Sequence, residues 1–452
     1  MRYRTLGAIA ATVAAGLVLA GCSTTASGGG DTGERTITVA YQKTSAFHQL
    51  DDLLQKVKPE FEAANPGVTV DLQPIESEDE YFTKLALMNG SADTAPDVIY
   101  EDTFQLRSDA AAGYLLPIDD YLGKWKDWDQ FYDAAKEAGL GDDGKTYGVS
   151  MGTDTRAIYY NKDIFAAAGL PTDWQPESWD DIMSAAEAIK AYDPSLIPLN
   201  IYGSKSAGEQ TSMQGLEMLV YGTDSTLYNT DDQKWITKSS GLTDSLGFYE
   251  DLYAKGLATP LDLALDNTIG SRVSTELLPE GKAAMAIDGS WLPGGWIEGE
   301  NAWAGWENTI GLAKMPTQNG GGDGFTSMSG GWTLAVGAQT TSPKTSFDFI
   351  AMALNQENSL KYDTENSQIA VRADVATSDD YLSYNPTFAF FSDLVQYTHF
   401  RPATPDYSQI SSALQQATES VITGDATAKE ATAAYDAELT KIVGAGNTEA
   451  GD

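Results

Sequence analysis

Cysteine and histidine are almost missing from this 452-residue sequence, which has Cys22, His48 and His399 and no others of either kind. A disulfide framework needs at least two cysteines, so none can form within the chain. Two isolated histidines do not make a zinc or iron site of the histidine-rich kind. We therefore expect no metal centre, and no sequence motif points to a cofactor.

Positive charge is also scarce, since 28 lysines and arginines stand against 65 aspartates and glutamates, a formal net charge of −37. A chain this acidic is repelled by nucleic acids and by anionic lipid surfaces, so neither is expected as a partner. Calcium would suit the acidity, but the sequence has no Asp-x-Asp-x-Asp-Gly loop with a glutamate at the required distance. The charge is interpreted as a solvated acidic surface.

A long apolar run occurs only at the N-terminus, where Leu6 to Leu19 follows Arg2 and Arg4. The run is shorter than the ~20 residues of a transmembrane helix. It ends in small residues, which predicts an export signal over residues 1–21. No later stretch approaches membrane-spanning length, so the body of the protein is expected to be soluble.

The export signal ends in Leu19-Ala-Gly-Cys22, which resembles the lipobox of bacterial lipoproteins. The resemblance implies that Cys22 is acylated, becomes the new N-terminus and anchors the chain to the outer face of the cell membrane. A plain cleaved signal followed by a chance cysteine is the alternative. Residues 22–33 are rich in glycine, serine and threonine and predict a flexible tether. Such an anchor suits a Gram-positive cell, which has no outer membrane to retain an exported protein.

The rest of the chain, about 430 residues, exceeds what one hydrophobic core usually holds and predicts two or more lobes. In its first part, β-branched and alternating stretches at residues 36–41, 68–72 and 97–100 are predicted strands. Amphipathic helices are predicted between them and after them. This β-α-β-α-β-α order is typical of a parallel α/β sheet.

The middle of the chain has a different pattern. Residues 128–138 are predicted to be helical, and residues 147–151 extended. A mainly helical region then runs to about Gly281, after which strands are predicted at residues 283–287, 309–313 and 332–336. The segment from Ser346 onward is again mostly helical in its pattern.

Seven short phrases occur in a characteristic order along nearly the whole mature chain. They are Asn65–Val68, Ala95–Tyr100, Tyr147–Val149 with Asp154–Lys162, Gly281–Trp291, Gly311–Pro316, Ser329–Trp332 and Arg401–Tyr407. In this order they resemble the family of extracellular solute-binding proteins that serve sugar ABC transporters. The resemblance implies an α/β, two-lobed, periplasmic-binding-protein-like (type II) fold, with hinge strands between the lobes and the ligand in the cleft.

The resemblance also implies a function and its partners. The protein would capture an oligosaccharide by lobe closure and deliver it to the transmembrane subunits of an ABC permease. A cytoplasmic ATPase would supply the energy, because this sequence has no Gly-x-x-x-x-Gly-Lys loop of its own. We expect a monomer that catalyses no reaction.

The family architecture also implies lobe boundaries. The hinges would lie near residues 147–152 and 310–315. The N-terminal lobe would comprise residues 34–150 with 312–357 returning to it, and the C-terminal lobe residues 151–311 with 358–452 returning to it.

Sugar hydroxyls favour carboxylate and guanidinium partners, and sugar C–H faces favour a flat aromatic ring. Asp102 follows the predicted strand at residues 97–100, at the end where open α/β sheets bind ligands. The family often has a ligand-binding acid at this place. Glu101 could be the ligand instead, and Asp102 could simply cap the next helix.

Asp154 and Arg156 lie just after the first predicted hinge. They are two residues apart on an extended segment, so their side chains point the same way. This arrangement predicts either a clamp for the sugar or a structural ion pair.

Trp291 and Trp332 each follow glycines that permit close backbone approach, among them Gly331 beside Trp332. The family often has stacking aromatics at these places, and burial in the core is the alternative for each. Arg372 resembles a family arginine that reaches the sugar, although Val371 stands where much of the family has proline. Phe47, in the loop after the first strand, is a further candidate platform.

Two rival functions remain at this point. An extracellular glycoside hydrolase would also be acidic and rich in tryptophan, and it would need two carboxylates either about 5 Å or about 6.5–9.5 Å apart. The same scaffold could instead bind a peptide, a polyamine or an iron chelate. The paired glycine–tryptophan loops favour a sugar over these solutes.

Overall fold

The computed structural model describes residues 35–44, 47–76 and 80–451. The predicted export signal, the tether and Cys22 lie outside these residues. No helix in the described ranges is both long enough and apolar enough to cross a bilayer.

The strands of the described residues are numbered in chain order. They are β1 Arg35–Gln42, β2 Val68–Ile75, β3 Val98–Asp102, β4 Gly148–Ser150, β5 Arg156–Asn161, β6 Ile197–Asn200, β7 Tyr228–Asn229, β8 Lys234–Thr237, β9 Ala283–Gly289, β10 Ile310–Ala313, β11 Met315–Pro316, β12 Phe325–Ser329, β13 Trp332–Val336, β14 Thr398–Phe400 and β15 Thr448–Ala450.

The α-helices are numbered in the same way. They are α1 Gln49–Ala64, α2 Tyr81–Asn89, α3 Thr103–Ala111, α4 Asp119–Leu122, α5 Asp133–Glu137, α6 Lys162–Ala167, α7 Trp179–Tyr192, α8 Met218–Val220, α9 Ser240–Ala254, α10 Leu261–Ala264, α11 Ile269–Arg272, α12 Gly294–Ile297, α13 Trp306–Thr309, α14 Pro343–Ala353, α15 Gln356–Glu365, α16 Ala373–Ala376, α17 Asp379–Tyr384, α18 Phe388–Asp393, α19 Tyr407–Ile422 and α20 Ala428–Val443. Short 3₁₀ or π turns lie at Lys126–Gln130, Lys205–Ala207, Gln210–Glu217, Val273–Leu277, Leu394–Tyr397 and Ala445–Asn447.

The first lobe is built on a five-stranded sheet in the order β2-β1-β3-β13-β4. β1 runs parallel to both β2 and β3, as the β-α order predicts, while β13 is antiparallel to β3 and β4. The apolar face of α1, which includes Leu53, Leu54 and Val57, is buried in the core of this lobe. The lobe is therefore an α/β layer structure completed by a strand from much later in the chain.

The second lobe has a four-stranded sheet in the order β10-β5-β9-β6, in which β6 and β9 are parallel and the other pairs antiparallel. Two three-stranded sheets, β11-β12-β14 and β15-β8-β7, accompany it. Helices α9, α19 and α20 contribute to its main core. β6 lies in a region that was predicted to be helical. Its four residues include Pro198 and are all buried, so they lack the alternation of apolar and polar side chains that would have indicated a strand.

The predicted fold class is confirmed, but the predicted return to the first lobe is misplaced. β10 pairs with β5 of the second lobe, and Ala313, Met315 and Met328 are buried in the second lobe's core. The return begins near Trp332 and not at residue 312.

The later limit of that return is also wrong. Tyr362 and Val371 are buried in the core of the first lobe, although residues 358–452 were assigned to the second. The helix expected over residues 128–138 is interrupted as well, because Phe131 leaves helical geometry and forms a bridge with Arg372.

Two chain crossings between the lobes lie side by side. In the first, Met151 N donates to Trp332 O at 2.9 Å, and Thr153 N donates to Ile369 O at 3.0 Å. In the second, Gly331 passes so close to Gly152 that a Cβ atom added to Gly331 would stand only 2.7 Å from the carbonyl oxygen of Gly152. The backbones can approach this closely because Gly331 has no side chain.

Candidate ligand-binding site

A cavity of about 580 Å³ lies between the two lobes, with walls from both. Its volume falls within the ~300–1,000 Å³ of small-molecule sites. Seven predicted site residues line it: Phe47, Asp102, Asp154, Arg156, Trp291, Gly331 and Trp332. The eighth, Arg372, does not. These placements bring most of the candidate residues to one concave surface.

Trp332, the first residue of β13, lies in an aromatic stack. The ring of Tyr100 is parallel to it at 4.2 Å between centroids, and the ring of Phe82 is parallel at 5.9 Å. Tyr81 approaches edge-on at 5.8 Å. Trp332 is half-buried, so it both packs in the first lobe and contributes to the cavity wall.

Trp291 follows β9 on the second lobe and is also half-buried. The guanidinium carbon of Arg156 lies 4.8 Å from its ring centre, which is a cation–π distance. Trp291 therefore meets the cavity beside a fixed positive charge. Phe47, the predicted platform, also lies on the cavity wall.

Asp154 and Arg156 form a buried ion pair through Asp154 Oδ1 and Arg156 Nη1. Gly330 N donates to the same carboxylate oxygen at 2.8 Å, and Arg156 Nη1 donates to Met328 O at 3.1 Å. Burial lowers the pKa of Arg156 from its usual value, and the charge of Asp154 opposes this.

Arg156 keeps one edge of its guanidinium group without an oxygen acceptor. Its buried Nε has no hydrogen-bond partner, and Nη2 meets only the thioether sulfur of Met213 at 3.3 Å. Nε and Nη2 carry parallel N–H groups, which suit a pair of oxygens. This edge therefore keeps unused donor capacity beside the cavity.

Asp102 caps α3 and also forms an ion pair. Its Oδ1 accepts from Phe104 N at 3.2 Å and from Arg401 Nη2 at 2.6 Å. Burial raises the pKa of Asp102 above its usual value, against the opposing charge of Arg401. The capping role is therefore real, and it coexists with a position on the cavity wall.

Glu101, the alternative to Asp102, is fully buried and does not line the cavity. Neither of its carboxylate oxygens has a hydrogen-bond partner. Burial, together with the nearby charges of Asp109 and Asp102, raises the pKa of Glu101 well above its usual value. Alternation along β3 explains this difference, because adjacent side chains in a strand point to opposite faces.

Arg372 is a correction to the predicted site. Its side chain is 1% exposed, and its guanidinium group donates to Asp374, Asp127 and Leu354 O while stacking on Phe131. All of these partners belong to the first lobe. Because its donors are used within that lobe, we remove Arg372 from the proposed site.

Sequence analysis missed Arg401 as a site residue, although it begins the phrase Arg401–Tyr407. Arg401 lines the cavity, stacks on Phe104 at 4.3 Å and donates to Glu209 at 3.1 Å. Burial alone would lower the pKa of Arg401, but Asp102 and Glu209 outweigh it and raise the pKa. A buried arginine needs acidic partners, but Asp102 and Glu209 lie far from Arg401 in the sequence, so no local signal joined them.

A further group of cavity residues comes from the segment before α8, which carries no recognisable motif. It comprises Lys205, Ser206, Ala207, Gly208, Glu209, Gln210, Met213 and Gln214. Within the part of the chain that the structure describes, no group of three or more His, Cys, Asp or Glu residues could hold a metal ion.

A model of the family described as bacterial extracellular solute-binding proteins matches residues 48–359. The chain belongs to this family. A relative from Brucella abortus, whose name describes it only as a binding protein, is 27% identical over 421 residues, covering 91% of this chain and 94% of the relative.

Two other proteins that are similar to this chain have ligands given in their names or structures. The maltodextrin-binding protein of Bacillus subtilis is 23% identical, with 78% of this chain and 76% of the relative covered. An ABC transporter solute-binding protein from Thermotoga lettingae, solved with α-D-tagatose, is 24% identical with a TM-score of 0.78. That match covers 90% of this chain and 99% of the solved one, and it places the two-lobed fold among solute-binding proteins.

Proposed function

We propose that this family member is the carbohydrate-binding component of an ABC importer. The observation that carries the proposal is the cavity between the lobes, where half-buried tryptophans from both lobes stand beside buried arginines and carboxylates. Aromatic rings suit the C–H faces of a sugar, and charged planar groups suit its hydroxyls. The named ligands of two relatives, maltodextrin and tagatose, are both carbohydrates.

Within this proposal, each lobe has a distinct part in ligand capture. Trp291 offers a ring face from the second lobe, and the Nε–Nη2 edge of Arg156 donates to two ligand oxygens. Trp332 and Phe47 offer aromatic surface from the first lobe. Because the walls come from both lobes, the ligand favours the closed arrangement in which it touches all of them. An oligosaccharide suits the several aromatic residues along the cavity.

A glycoside hydrolase is disfavoured by the state of the cavity's carboxylates. Asp154 is paired with Arg156, and Asp102 and Glu209 are both paired with Arg401. A hydrolase needs one free carboxylic acid and one free carboxylate on opposite sides of the bond. Incubation with oligosaccharides should therefore release no new reducing ends.

The proposal extends to the membrane. Acylation at Cys22 would tether the protein beside its permease, which raises its local concentration there. Changing Cys22 to Ser should abolish the covalent attachment of labelled fatty acid to the protein in a Gram-positive host. Label carried by the Ser variant would contradict the anchor at Cys22.

The test of carbohydrate binding begins with a thermal-shift screen of the exported chain against monosaccharides and against gluco-, galacto- and xylo-oligosaccharides. The tightest ligand then goes to calorimetry with Trp291→Ala and Trp332→Ala. Each change should weaken binding by ~1–3 kcal/mol if the ring stacks on the sugar. Trp332→Ala should also lower the melting temperature, since that ring packs against Tyr100 and Phe82.

Trp303→Ala is the matched control, because Trp303 is equally half-buried but packs in the second lobe away from the cavity. It should leave the affinity unchanged. Unaltered affinity in both cavity variants would remove the tryptophans from the site, and a screen without any sugar response would reject the function.

A further inference from the structure

Arg401 joins the two lobes through two ion pairs, one buried and one partly buried. Its Nη2 donates to Asp102 Oδ1 at 2.6 Å, at the end of β3 in the first lobe, and its Nη1 donates to Glu209 Oε2 at 3.1 Å in the second. The side chains of Arg401 and Asp102 are only 5% and 10% exposed. Arg401 itself lies between β14 and α19, which belong to the second lobe. We call Asp102, Arg401 and Glu209 the Arg401 bridge.

Other contacts cross between the lobes at the same place. Phe104 of α3 packs edge-on against Tyr407 of α19 at 5.7 Å, and Ser408 Oγ donates to Gln105 Oε1 at 2.7 Å. The guanidinium carbon of Arg401 lies 4.3 Å from the ring centre of Phe104. The beginnings of α3 and α19 therefore meet directly, without a ligand between them.

We propose that the Arg401 bridge couples ligand capture to lobe closure, with Arg401 as a positioning residue that holds Asp102 of the first lobe against the second. The proposal rests on the proposed function, since Asp102 would also be a ligand contact. Separating the lobes breaks the 2.6 Å contact and leaves both charges to be solvated again. Closure restores it, so part of the closed arrangement is stabilised by the protein itself.

The charges around the bridge predict what a neutral side chain in place of Arg401 would do. Without it, Asp102 and Glu209 remain as two carboxylates on opposite lobes, and like charges in a poorly solvated site repel. Arg156 is the other nearby cation, but it is already paired with Asp154. Glu217 and Tyr407 also face Arg401 and supply no positive charge.

The first experiment measures the separation of the lobes in the absence of ligand. Spin labels on cysteines introduced at Leu87 in α2 and Tyr192 in α7, which are 73% and 53% exposed, report from opposite lobes. Cys22→Ser removes the native thiol. In the parent chain, pulsed electron resonance should give one short distance, and Arg401→Gln should shift the distribution to longer distances.

Arg372→Gln is the matched control, because Arg372 is equally buried, equally paired with two acids and confined to the first lobe. It should leave the distances unchanged. Arg401→Lys, which keeps the charge but cannot reach both acids in the same way, should give an intermediate distribution. It also keeps the test valid if the glutamine variant does not fold.

Two rescues separate a bridging role from a general packing role. In the Arg401→Gln chain, lowering the pH should return the distances toward the short value, because protonation of Asp102, whose pKa burial raises, removes the repulsion between the two lobes. Adding Glu209→Gln to Arg401→Gln should do the same at neutral pH. A packing defect would respond to neither change.

Sugar kinetics complete the test. With the tightest ligand of the screen, Arg401→Gln should accelerate sugar dissociation by about tenfold or more, because truncating a buried charge pair acts mainly on dissociation. If no sugar binds but the distances respond as expected, the carbohydrate function fails and the bridge stands. Distances and dissociation rates that match the Arg372→Gln control would overturn the bridge.

Discussion

Arg372 and Arg401 have nearly the same surroundings and different consequences. Each is almost fully buried, forms ion pairs with two acids and stacks on a phenylalanine ring. The partners of Arg372 all lie in the first lobe, whereas Arg401 has one acid on each lobe and lines the cavity. The location of the partners, and not the burial or pairing of the arginine, separates a structural ion pair from one that can respond to a ligand.

The largest expected effect that sharpens this comparison is a loss of stability in Arg372→Gln. The change leaves Asp127 and Asp374 without their cation and removes the hydrogen bond to Leu354 O. We expect the free energy of unfolding to fall by about 3 kcal/mol, at the lower end of the range for a broken buried pair, because both acids are partly exposed. Urea unfolding measures this loss, and calorimetry should show an unchanged sugar affinity. A weakened affinity at full stability would restore Arg372 to the site.

A pH-dependent effect, smaller within any one pH unit, should separate the acids that lie near the two arginines. Burial raises the pKa of Glu217, near Arg401, to about 8, while its usual value is about 4.5. The folded state therefore keeps a proton between these pH values that the unfolded state releases. Stability should fall as pH rises through this window, by at most about 1.4 kcal/mol per pH unit. Glu217→Gln should flatten the dependence between about pH 5 and pH 8 in urea unfolding.

The control for Glu217 is a buried acid near the other arginine. Burial raises the pKa of Asp363 well above its usual value, and Arg372 partly opposes this. Asp363→Asn should also flatten the stability profile, because it too removes a buried carboxyl group whose pKa is raised. A pH profile that Glu217→Gln leaves as steep as the parent's would contradict the buried proton.

The smallest expected effect concerns the two aromatic rings. Phe131→Leu and Phe104→Leu each remove the ring on which an arginine stacks, at 5.3 and 4.3 Å respectively. A cation–π contact contributes about 0.5–2 kcal/mol. Phe131→Leu should lower the free energy of unfolding by about 1 kcal/mol and leave the rate of sugar dissociation unchanged. Phe104→Leu should also speed sugar dissociation in stopped-flow experiments, and equal dissociation rates in the two variants would end the distinction between the rings.

Local pattern predicted much of the first lobe. The helix face of α1 and the strands β1 to β3 follow from periodicity, because these elements are long and their partners are close in sequence. β12 was not predicted, since Thr326, Ser327 and Ser329 are polar and nonetheless buried. The predicted lobe boundary was misplaced for the same reason, because the chain passes through β12 in the second lobe before it crosses at Gly331.

The candidate site also divides into residues that a local sequence pattern could predict and residues that it could not. Trp291, Trp332, Asp154 and Arg156 lie beside glycines or turns whose motifs are readable in the sequence. Arg401 meets Asp102 from 299 positions along the chain, and Glu209 from 192, so no local pattern could join them. Arg372 was misplaced because an isolated arginine gives no sign of which acids it will meet.

The paired crossings at Gly152 and Gly331 also have a mechanical consequence. The two chain segments connect the same two lobes and contact each other where they cross. We therefore expect rotation of the lobes about this contact to cost little, whereas twisting or sliding one lobe past the other would make the two backbones clash. An added methyl at Gly331, 2.7 Å from the Gly152 oxygen, would wedge that joint. We expect the lobes to swing about this joint, and such a motion would return Asp102 to the same guanidinium nitrogen of Arg401 at each closure.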